Sequence, residues 1–452
     1  MRSKSYYPFV TMVVLALLAG ACAPAAATPT TQAVPQETSP TLPAAEPTAT
    51  VPTKPVTLQY WSYLSETEPL AMVLAENVKA WNAANPNIQV EPTWVGRELV
   101  TKLRTQLLAG EAPDIISYSD SEALPSVVKE GLIQPLDDAL KTPGYNTKEA
   151  WGDTFVHLNP YSDGHFYLIP DSYYTSGIYY NKTIFAKFNL APPTTWSEFL
   201  DVCKTLKSNA VQPLAVDGAY AFFPSWYFVW LASRIVGDDA FRMAAQDKTG
   251  AAWGDPGFLE AAKQVQALVQ NGYFQPGYEG TNWPGAETLF SQGNVGMYLT
   301  GTWFPAEISD KVGPDFDMAV IAFPSVEGGK GDQTSAEAWA NSWMILKDSK
   351  YIDQSISFLK YMTGKEAMAG FAEVMTPAPL KDVPLPKFNE GQATILANAD
   401  KFMPRLHGIQ EDNPEWVTKV FWVIDDKLAF GQITPEQFIA QLMTEQAKYF
   451  SK

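Results

Sequence analysis

The chain has 452 residues, a formal net charge of −17 and 46% apolar residues. This length and apolar content suit two domains of ordinary size with full cores. The negative charge, with no compensating stripe of Lys and Arg, excludes a nucleic-acid partner.

Residues 1–21 combine Arg2 and Lys4 with an apolar run from Phe9 to Ala21. This is the layout of a signal peptide and is too short to span a membrane. Ala19-Gly20-Ala21 precedes Cys22 and resembles a bacterial lipobox, although Leu18 stands four residues before the Cys rather than three. Cys22 is therefore expected to carry lipid. Residues 22–55 continue with Pro, Thr and Ala, a composition that cannot bury a core and reads as a disordered, extended tether. The other cysteine, Cys203, falls on the helical stripe Trp196, Phe199, Leu200, Cys203, Leu206 and reads as an inert core thiol.

The folded part starts with a strand, Val56 to Tyr63. A helix from Glu66 to Asn82, a strand from Ile88 to Glu91, a helix from Glu98 to Leu108 stopped by Gly110, and a strand from Asp114 to Tyr118 follow. Strands alternating with helices argue for α/β layers and a parallel sheet. Ligands of such sheets bind at the carboxyl ends of strands, here Trp61 to Glu66 and Tyr118 to Glu122. Next comes YLIPDSYYTSGIYY, Tyr167 to Tyr180, an aromatic and β-rich run entered through Pro170. A polar break at Asn181–Thr183 follows, then Pro192-Pro193-Thr194-Thr195-Trp196 restarts the chain as a helix. Thr195 and Glu198 stand three apart, the spacing of a capping box. Phe222 to Gly272 reads as helical, Phe316 to Phe323 as a strand, Ile352 to Met362 and Ile433 to Phe450 as helices.

Several of these pieces carry a resemblance. Tyr167–Pro170, Tyr179-Tyr180-Asn181-Lys182 and Pro193-Thr194-Thr195-Trp196-Ser197-Glu198 resemble the central signature of the extracellular solute-binding proteins of ATP-binding-cassette importers. The sugar-binding, maltose-binding-protein-like branch is the nearest. Residues 84–91 (ANPNIQVE), residues 107–116 (LLAGEAPDII), Leu289 to Met297, Gly301-Thr302-Trp303, Trp343 to Lys350 and Thr376 to Leu380 match it in order and spacing.

The resemblance implies a two-lobed α/β fold of the periplasmic-binding-protein type, each lobe a mainly parallel sheet with flanking helices. The lobes would be hinged, with chain crossings near Pro170–Thr175, Phe323–Ser325 and Lys387–Gly391. Residues 56–170 and 326–388 would form the N-terminal lobe, and residues 171–325 and 389–452 the C-terminal lobe.

A sugar is held by aromatic rings against its C–H faces and by planar hydrogen-bonding groups at its rim. There are 14 Trp to supply the rings. Trp303 follows Gly301-Thr302 at a strand end, where the family places a stacking aromatic; Trp283 stands in a loop before Pro284; Trp226 opens a helix whose stripe continues into Trp230. Trp339 and Asn341 precede a strand where the family places ligand contacts. Tyr173 and Tyr174 flank the crossing. Tyr174 occupies the position of a ligand-binding acidic residue in the maltose-binding relatives, which points away from maltose itself. Tyr63, Glu66 and Asp120 sit at strand-to-helix ends, and Arg405 follows Met403-Pro404. Core packing, first-turn helix charge and structural ion pairing are the plainer readings of Trp226, Glu66 and Arg405 respectively.

His157, His165 and His407 have no metal spacing, and no HExxH, GxSxG or GxxxxGK[ST] pattern occurs. The expected protein is a non-enzymatic receptor needing no cofactor and acting as a monomer. It would be lipid-anchored on the outer side of a bacterial membrane, at the cell surface or in a periplasm, capturing a di- or oligosaccharide and passing it to the permease of an ATP-binding-cassette importer. Two other readings stay open: a non-sugar solute such as a polyamine, phosphate ester or amino-acid derivative, and a secreted glycoside hydrolase, whose two carboxylates can be far apart in sequence.

Overall fold

The computed structural model describes residues 54–140, 163–380, 383–398 and 402–451. The expected signal peptide, Cys22, nearly all of the tether and His157 lie outside the described residues.

The first strands and helices alternate as the pattern predicts. β1 (Val56–Ser62), α1 (Pro69–Ala84), β2 (Ile88–Trp94), α2 (Leu99–Ala109) and β3 (Ile115–Ser119) place β1 between β2 and β3, parallel to both. Helix α1 buries Leu70, Leu74, Val78 and Trp81, three and four residues apart. Helix α2 stops where Gly110 turns left-handed at φ 73, a conformation with no Cβ penalty for glycine.

β4 (Ile169–Asn181) is 13 residues long and almost wholly buried. The polar break expected after it is instead a helix, Lys182–Lys187, because Asn181 caps it by accepting a 3.0 Å hydrogen bond from the Ile184 N–H. α3 (Trp196–Ser208) opens on the foreseen capping box: Thr195 Oγ1 accepts from the Glu198 N–H at 3.3 Å, and Glu198 accepts from the Thr195 N–H at 3.2 Å. Its buried face is Trp196, Phe199, Val202, Cys203 and Leu206. Burial holds the Cys203 thiol well above its ordinary pKa, so it carries no nucleophilic thiolate.

Beyond it come β5 (Gln212–Ala215), α4 (Phe222–Val236), α5 (Pro256–Gln270), β6 (Val295–Gly301), β7 (Met318–Ile321) and β8 (Ala336–Ile345). α6 (Ile352–Met362), β9 (Phe402–Met403) and α7 (Pro435–Phe450) complete the series.

The sheet runs β2-β1-β3-β8-β4-β6-β5, with β7 on β4 and β9 on β8. β1 with β2 and β3, β5 with β6, and β8 with β9 are parallel; β3–β8, β4–β8, β4–β6 and β4–β7 are antiparallel. Apart from the short β8–β9 pair, the parallel strands thus form two groups, joined by the long antiparallel pair β4 and β8.

Two hydrophobic cores flank that pair. One gathers β1 to β3, α1, α2 and α6 with Ile169 and residues 343–346. The other gathers α3, α4, α5, β6 and α7 with Tyr174, Ile178, Tyr179, Ala336 and Trp339. β4 packs in the first core at Ile169 and in the second at Tyr174. β8 also changes core along its length. Phe323 packs in the second core, 5.6 Å from Trp196, and the core changes between Trp339 and Ala340. Every residue of β8 is buried, and no Pro or Gly marks the passage, so sequence carries no punctuation there. A third passage lies between Val383 and Phe388.

The capping box generates a stability prediction. Thr195→Ala removes one acceptor from the α3 N-terminus and is expected to cost about 1 kcal/mol. A thermal midpoint equal to wild type would show that the box contributes nothing.

Candidate functional site

The loops after β1, β3 and β6 converge on the β4–β8 pair, where the two cores meet. Tyr63, just past β1, accepts a short hydrogen bond from Asn341 Nδ2 on β8, and that amide lies 3.5 Å from Ser172 Oγ on β4. The Tyr63 ring stands edge-on to Tyr118, with the Arg97 guanidinium 5.0 Å from its centroid. Arg97 is itself paired with Glu68 at 2.9 Å.

Asp120, just past β3, is buried. Its Oδ2 accepts from the Ala340 N–H at 2.8 Å and its Oδ1 from the Ser121 N–H at 2.6 Å. On β4 the ladder slips one residue between Pro170 and Ser172. Asp171 is the extra residue of this bulge, a feature that re-aims side chains. Its carboxyl is fully buried: Oδ1 accepts from Ser172 Oγ at 2.6 Å and Oδ2 has no partner. Burial pushes both carboxyls up to about 7; the peptide N–H donors oppose it at Asp120, Ser172 opposes it at Asp171, and the proximity of Asp120 raises Asp171 further.

The aromatic part lies on the second core. Tyr174 and Trp339 face each other with centroids 6.0 Å apart and planes tilted by 35°. Trp303 meets both edge-on, at 6.1 Å from Tyr174 and 5.6 Å from Trp339, and is backed by Trp226 at 6.2 Å. Trp339 and Trp226 are buried while Trp303 is half-buried, so Trp303 is the indole of the group that solvent reaches. The segment before it is fixed by the Thr302 N–H donating to Thr175 O and the Thr175 N–H donating to Thr302 Oγ1, both at 3.0 Å. The indole then folds back over Gly301, where a Cβ would fall 1.7 Å from Trp303 Cζ3. Only glycine leaves room for that ring.

Arg405 closes the group. Its guanidinium lies 3.8 Å from the Phe222 centroid and 5.5 Å from that of Trp339, and its Nε has no hydrogen-bond partner. The next three residues are all left-handed: Leu406 at φ 49, His407 at φ 53 and Gly408 at φ 76. For Leu and His this costs about 1 kcal/mol or more each. Glu411, a few residues on, is half-buried, and burial with Asp120 and Asp412 nearby pushes its carboxyl up to about 8.

Trp283 is 39% exposed, and its Nε1 donates to Glu287 Oε1 at 3.1 Å. Glu287 lies close to Glu307; burial raises both carboxyls, their proximity raises Glu307 further, and Glu307 lies within electrostatic reach of Arg97 and Tyr174. Tyr173, partly buried against the first core, is anchored by its N–H to Pro377 O at 3.3 Å. Glu66 is exposed and joins none of these contacts.

The arrangement thus brings together Tyr63, Asp120, Tyr174, Trp226, Trp303, Trp339, Asn341 and Arg405. Trp226 sits behind the surface rather than on it. Asp171, Glu337, Glu287, Glu307 and Phe222 were not singled out from sequence. A signal existed for two of them: Asp171 and Glu337 are lone charges inside strongly apolar strands. Among the described residues no three His, Cys, Asp or Glu side chains are grouped to hold a metal ion. A depression of about 570 Å³ lined by Asn413, Lys419, Tyr449 and Phe450 holds none of the site residues.

The raised carboxyls set a pH dependence. Unfolded carboxyls ionise near pH 4, whereas Asp120 and Asp171 do so at about 7, so stability declines from pH 4 to pH 7 at roughly 1.4 kcal/mol per unit of displacement. Glu198, Asp247, Glu327 and Asp332 are shifted downward, and their contribution is already complete by pH 5. The ligand-free protein is expected to melt higher at pH 5 than at pH 8, with Asp171→Asn flattening the slope. A midpoint that rises over this interval would contradict the burial argument.

The pattern of the family described as bacterial extracellular solute-binding protein matches residues 65–369. A multiple sugar-binding protein of Streptococcus mutans is 27% identical over 357 residues, 76% of this chain and 80% of its own length. A structure from work on xylan utilization by the thermophilic Caldanaerobius polysaccharolyticus superposes with a TM-score of 0.73 at 27% identity, covering 86% of this chain and all of that one. The raffinose complex of the solute-binding protein RafE superposes at 0.69 with 22% identity, covering 87% of this chain and 99% of that one, a likeness of fold. No helix among the described residues is long and apolar enough to cross a membrane. The chain belongs to the bacterial extracellular solute-binding proteins, a family of receptors rather than enzymes.

Proposed function

We propose that this chain is a lipid-anchored receptor that captures a di- or oligosaccharide between two lobes built on its two cores and delivers it to an ATP-binding-cassette importer. The observation that carries the reading is the half-buried Trp303, set among Tyr174 and Trp339, with Arg405 over Trp339 and with Asn341 and the Asp120-bound Ala340 following Trp339 on β8. An aromatic plane suits the C–H face of a pyranose, and the bordering amide, carboxyl and guanidinium suit its hydroxyls. The relatives point the same way: one is named for binding multiple sugars and another, from Streptomyces coelicolor, for binding diacetylchitobiose.

Contacts come from both sides. Tyr63, Asp120 and Asn341 belong to strands of the first core or their ends, whereas Trp303 and Arg405 stand on the second. A sugar bridging them favours the closed arrangement by its differential affinity for it, and that arrangement is the signal a permease reads. Cys22, once acylated, holds the receptor at the membrane as a monomer, and residues 23–55 give it reach.

Calorimetric titration with raffinose, N,N′-diacetylchitobiose and xylotriose tests the ligand class. One or more is expected to bind, and Trp303→Ala to weaken that binding at least about tenfold, or ~1.4 kcal/mol. Silence across the sugars together with binding of spermidine would replace the sugar by a cationic solute. For the anchor, labelled palmitate is expected in the membrane fraction of cells making the wild-type chain and to be lost with Cys22→Ala, which should release the protein. Membrane retention of the unlabelled variant would remove the lipid from the account.

A further inference from the structure

Glu337 is a lone charge in the apolar strand β8, with only 1% of its surface exposed. Each of its carboxyl oxygens is used. Oε2 accepts from Trp226 Nε1 at 2.8 Å, and Oε1 accepts from the Leu406 N–H at 2.6 Å. Its backbone carbonyl accepts from Thr175 Oγ1 on the crossing strand at 2.5 Å. Trp226 is the indole that backs Trp303. Leu406 is the first of the three left-handed residues that follow Arg405. The same turn is held from its other side by His407, whose Nε2 lies 2.7 Å from Ser233 Oγ. Because Ser233 Oγ already donates to Val229 O at 2.8 Å, it accepts here, and His407 Nε2 carries the proton.

No salt bridge joins Glu337 to Arg405, although the two lie within electrostatic reach. The carboxyl is committed to the two N–H donors, and the guanidinium is left stacked on Phe222 with its Nε unpaired. A buried carboxylate that declines the nearest cation in favour of two fixed donors sets geometry rather than neutralising charge.

We propose that Glu337 is a positioning residue for the ligand site, one side chain setting the stacking plane of Trp303 through Trp226 and the reach of Arg405 through Leu406. The ligand class that fits is a carbohydrate whose ring lies on Trp303 while adjacent hydroxyls accept from the guanidinium. This rests on the receptor reading above, but the test separates the two.

Glu337→Gln keeps the shape and leaves one acceptor where two donors converge, so either Trp226 or Leu406 loses its partner. Hydrogen exchange in the ligand-free, full chain is expected to quicken at least about tenfold in Glu337→Gln, either at the amides of residues 405–408 or at the Trp226 indole N–H, the loss of one buried hydrogen bond. Glu337→Gln with Trp226→Phe removes the competing indole donor, so the Gln carbonyl can turn to Leu406 and protection should return. A merely structural Glu337 would give two additive losses instead. Binding of raffinose, N,N′-diacetylchitobiose or xylotriose should then follow a coupled pattern: Arg405→Ala and Glu337→Gln each weaken it, and the pair together weakens it less than the product of the two. Exchange in Glu337→Gln unchanged both at residues 405–408 and at the Trp226 indole N–H overturns the proposal whether or not a sugar binds, as does quickened exchange at residues 405–408 that the double variant fails to restore. Silence from all three sugars with the exchange pattern intact would sink the carbohydrate reading and leave the positioning role of Glu337 standing.

Discussion

The antiparallel pairing of β4 with β8 is the constraint from which the rest follows. Its ladder runs from Ile169↔Trp343 to Thr175↔Ala338, and both strands are buried along almost their whole length. Backbone donors and acceptors removed from water must be paired, and here they are paired strand to strand between two cores. The side chains on these strands change environment along the way: Ile169 and Trp343 pack in the first core, Tyr174 and Trp339 in the second. Between them the ladder slips at Asp171, and polar residues appear where the cores give way to each other. The candidate site lies where a continuous sheet passes between two separate apolar masses.

That junction holds carboxyls at a cost. Asp171 and Glu337 are buried as deeply as any core residue, and an ionised carboxyl there is disfavoured unless hydrogen bonds or cations compensate. The compensation differs between them. Glu337 has two N–H donors and Arg405 nearby, whereas Asp171 has one hydroxyl and an unpaired oxygen. The aromatic group is organised on the opposite principle. Trp226, Tyr174 and Trp339 are sealed, and their burial holds the half-exposed Trp303 at a fixed angle, so stacking a ring on it costs little ordering.

Much of the fold was legible because it is written in local chemistry. The capping box at Thr195, the stop at Gly110 and the buried stripe through Cys203 each depend on residues within one or two turns. The passage through β8 was not legible, since an unbroken apolar strand looks the same whether it serves one core or two. Gly301-Thr302-Trp303 places an indole at a strand end in the sequence, and the glycine proves to be what lets that indole fold back. Trp226 shows the limit of that reasoning: a helix stripe and a binding wall use the same residue, and only packing separates them. The pairing of Glu287 with Glu307 joins two helices that no spacing relates. The turn at Leu406 and His407 is hidden for another reason: neither residue favours the left-handed region, so sequence argues against the very conformation found.

That last case explains why the strain persists. A left-handed Leu and His would relax unless neighbouring groups held them, and here the holding groups are the Glu337 carboxyl and the Ser233 hydroxyl. Both belong to elements that also build the aromatic group: Glu337 lies two residues before Trp339 on β8, and Ser233 lies on α4 with Trp226. The cation and the stacking plane are therefore not independent features that happen to face each other. They are placed by the same strand and the same helix, so a change that tilts one moves the other, and recognition by this site should depend on their relation more than on either alone.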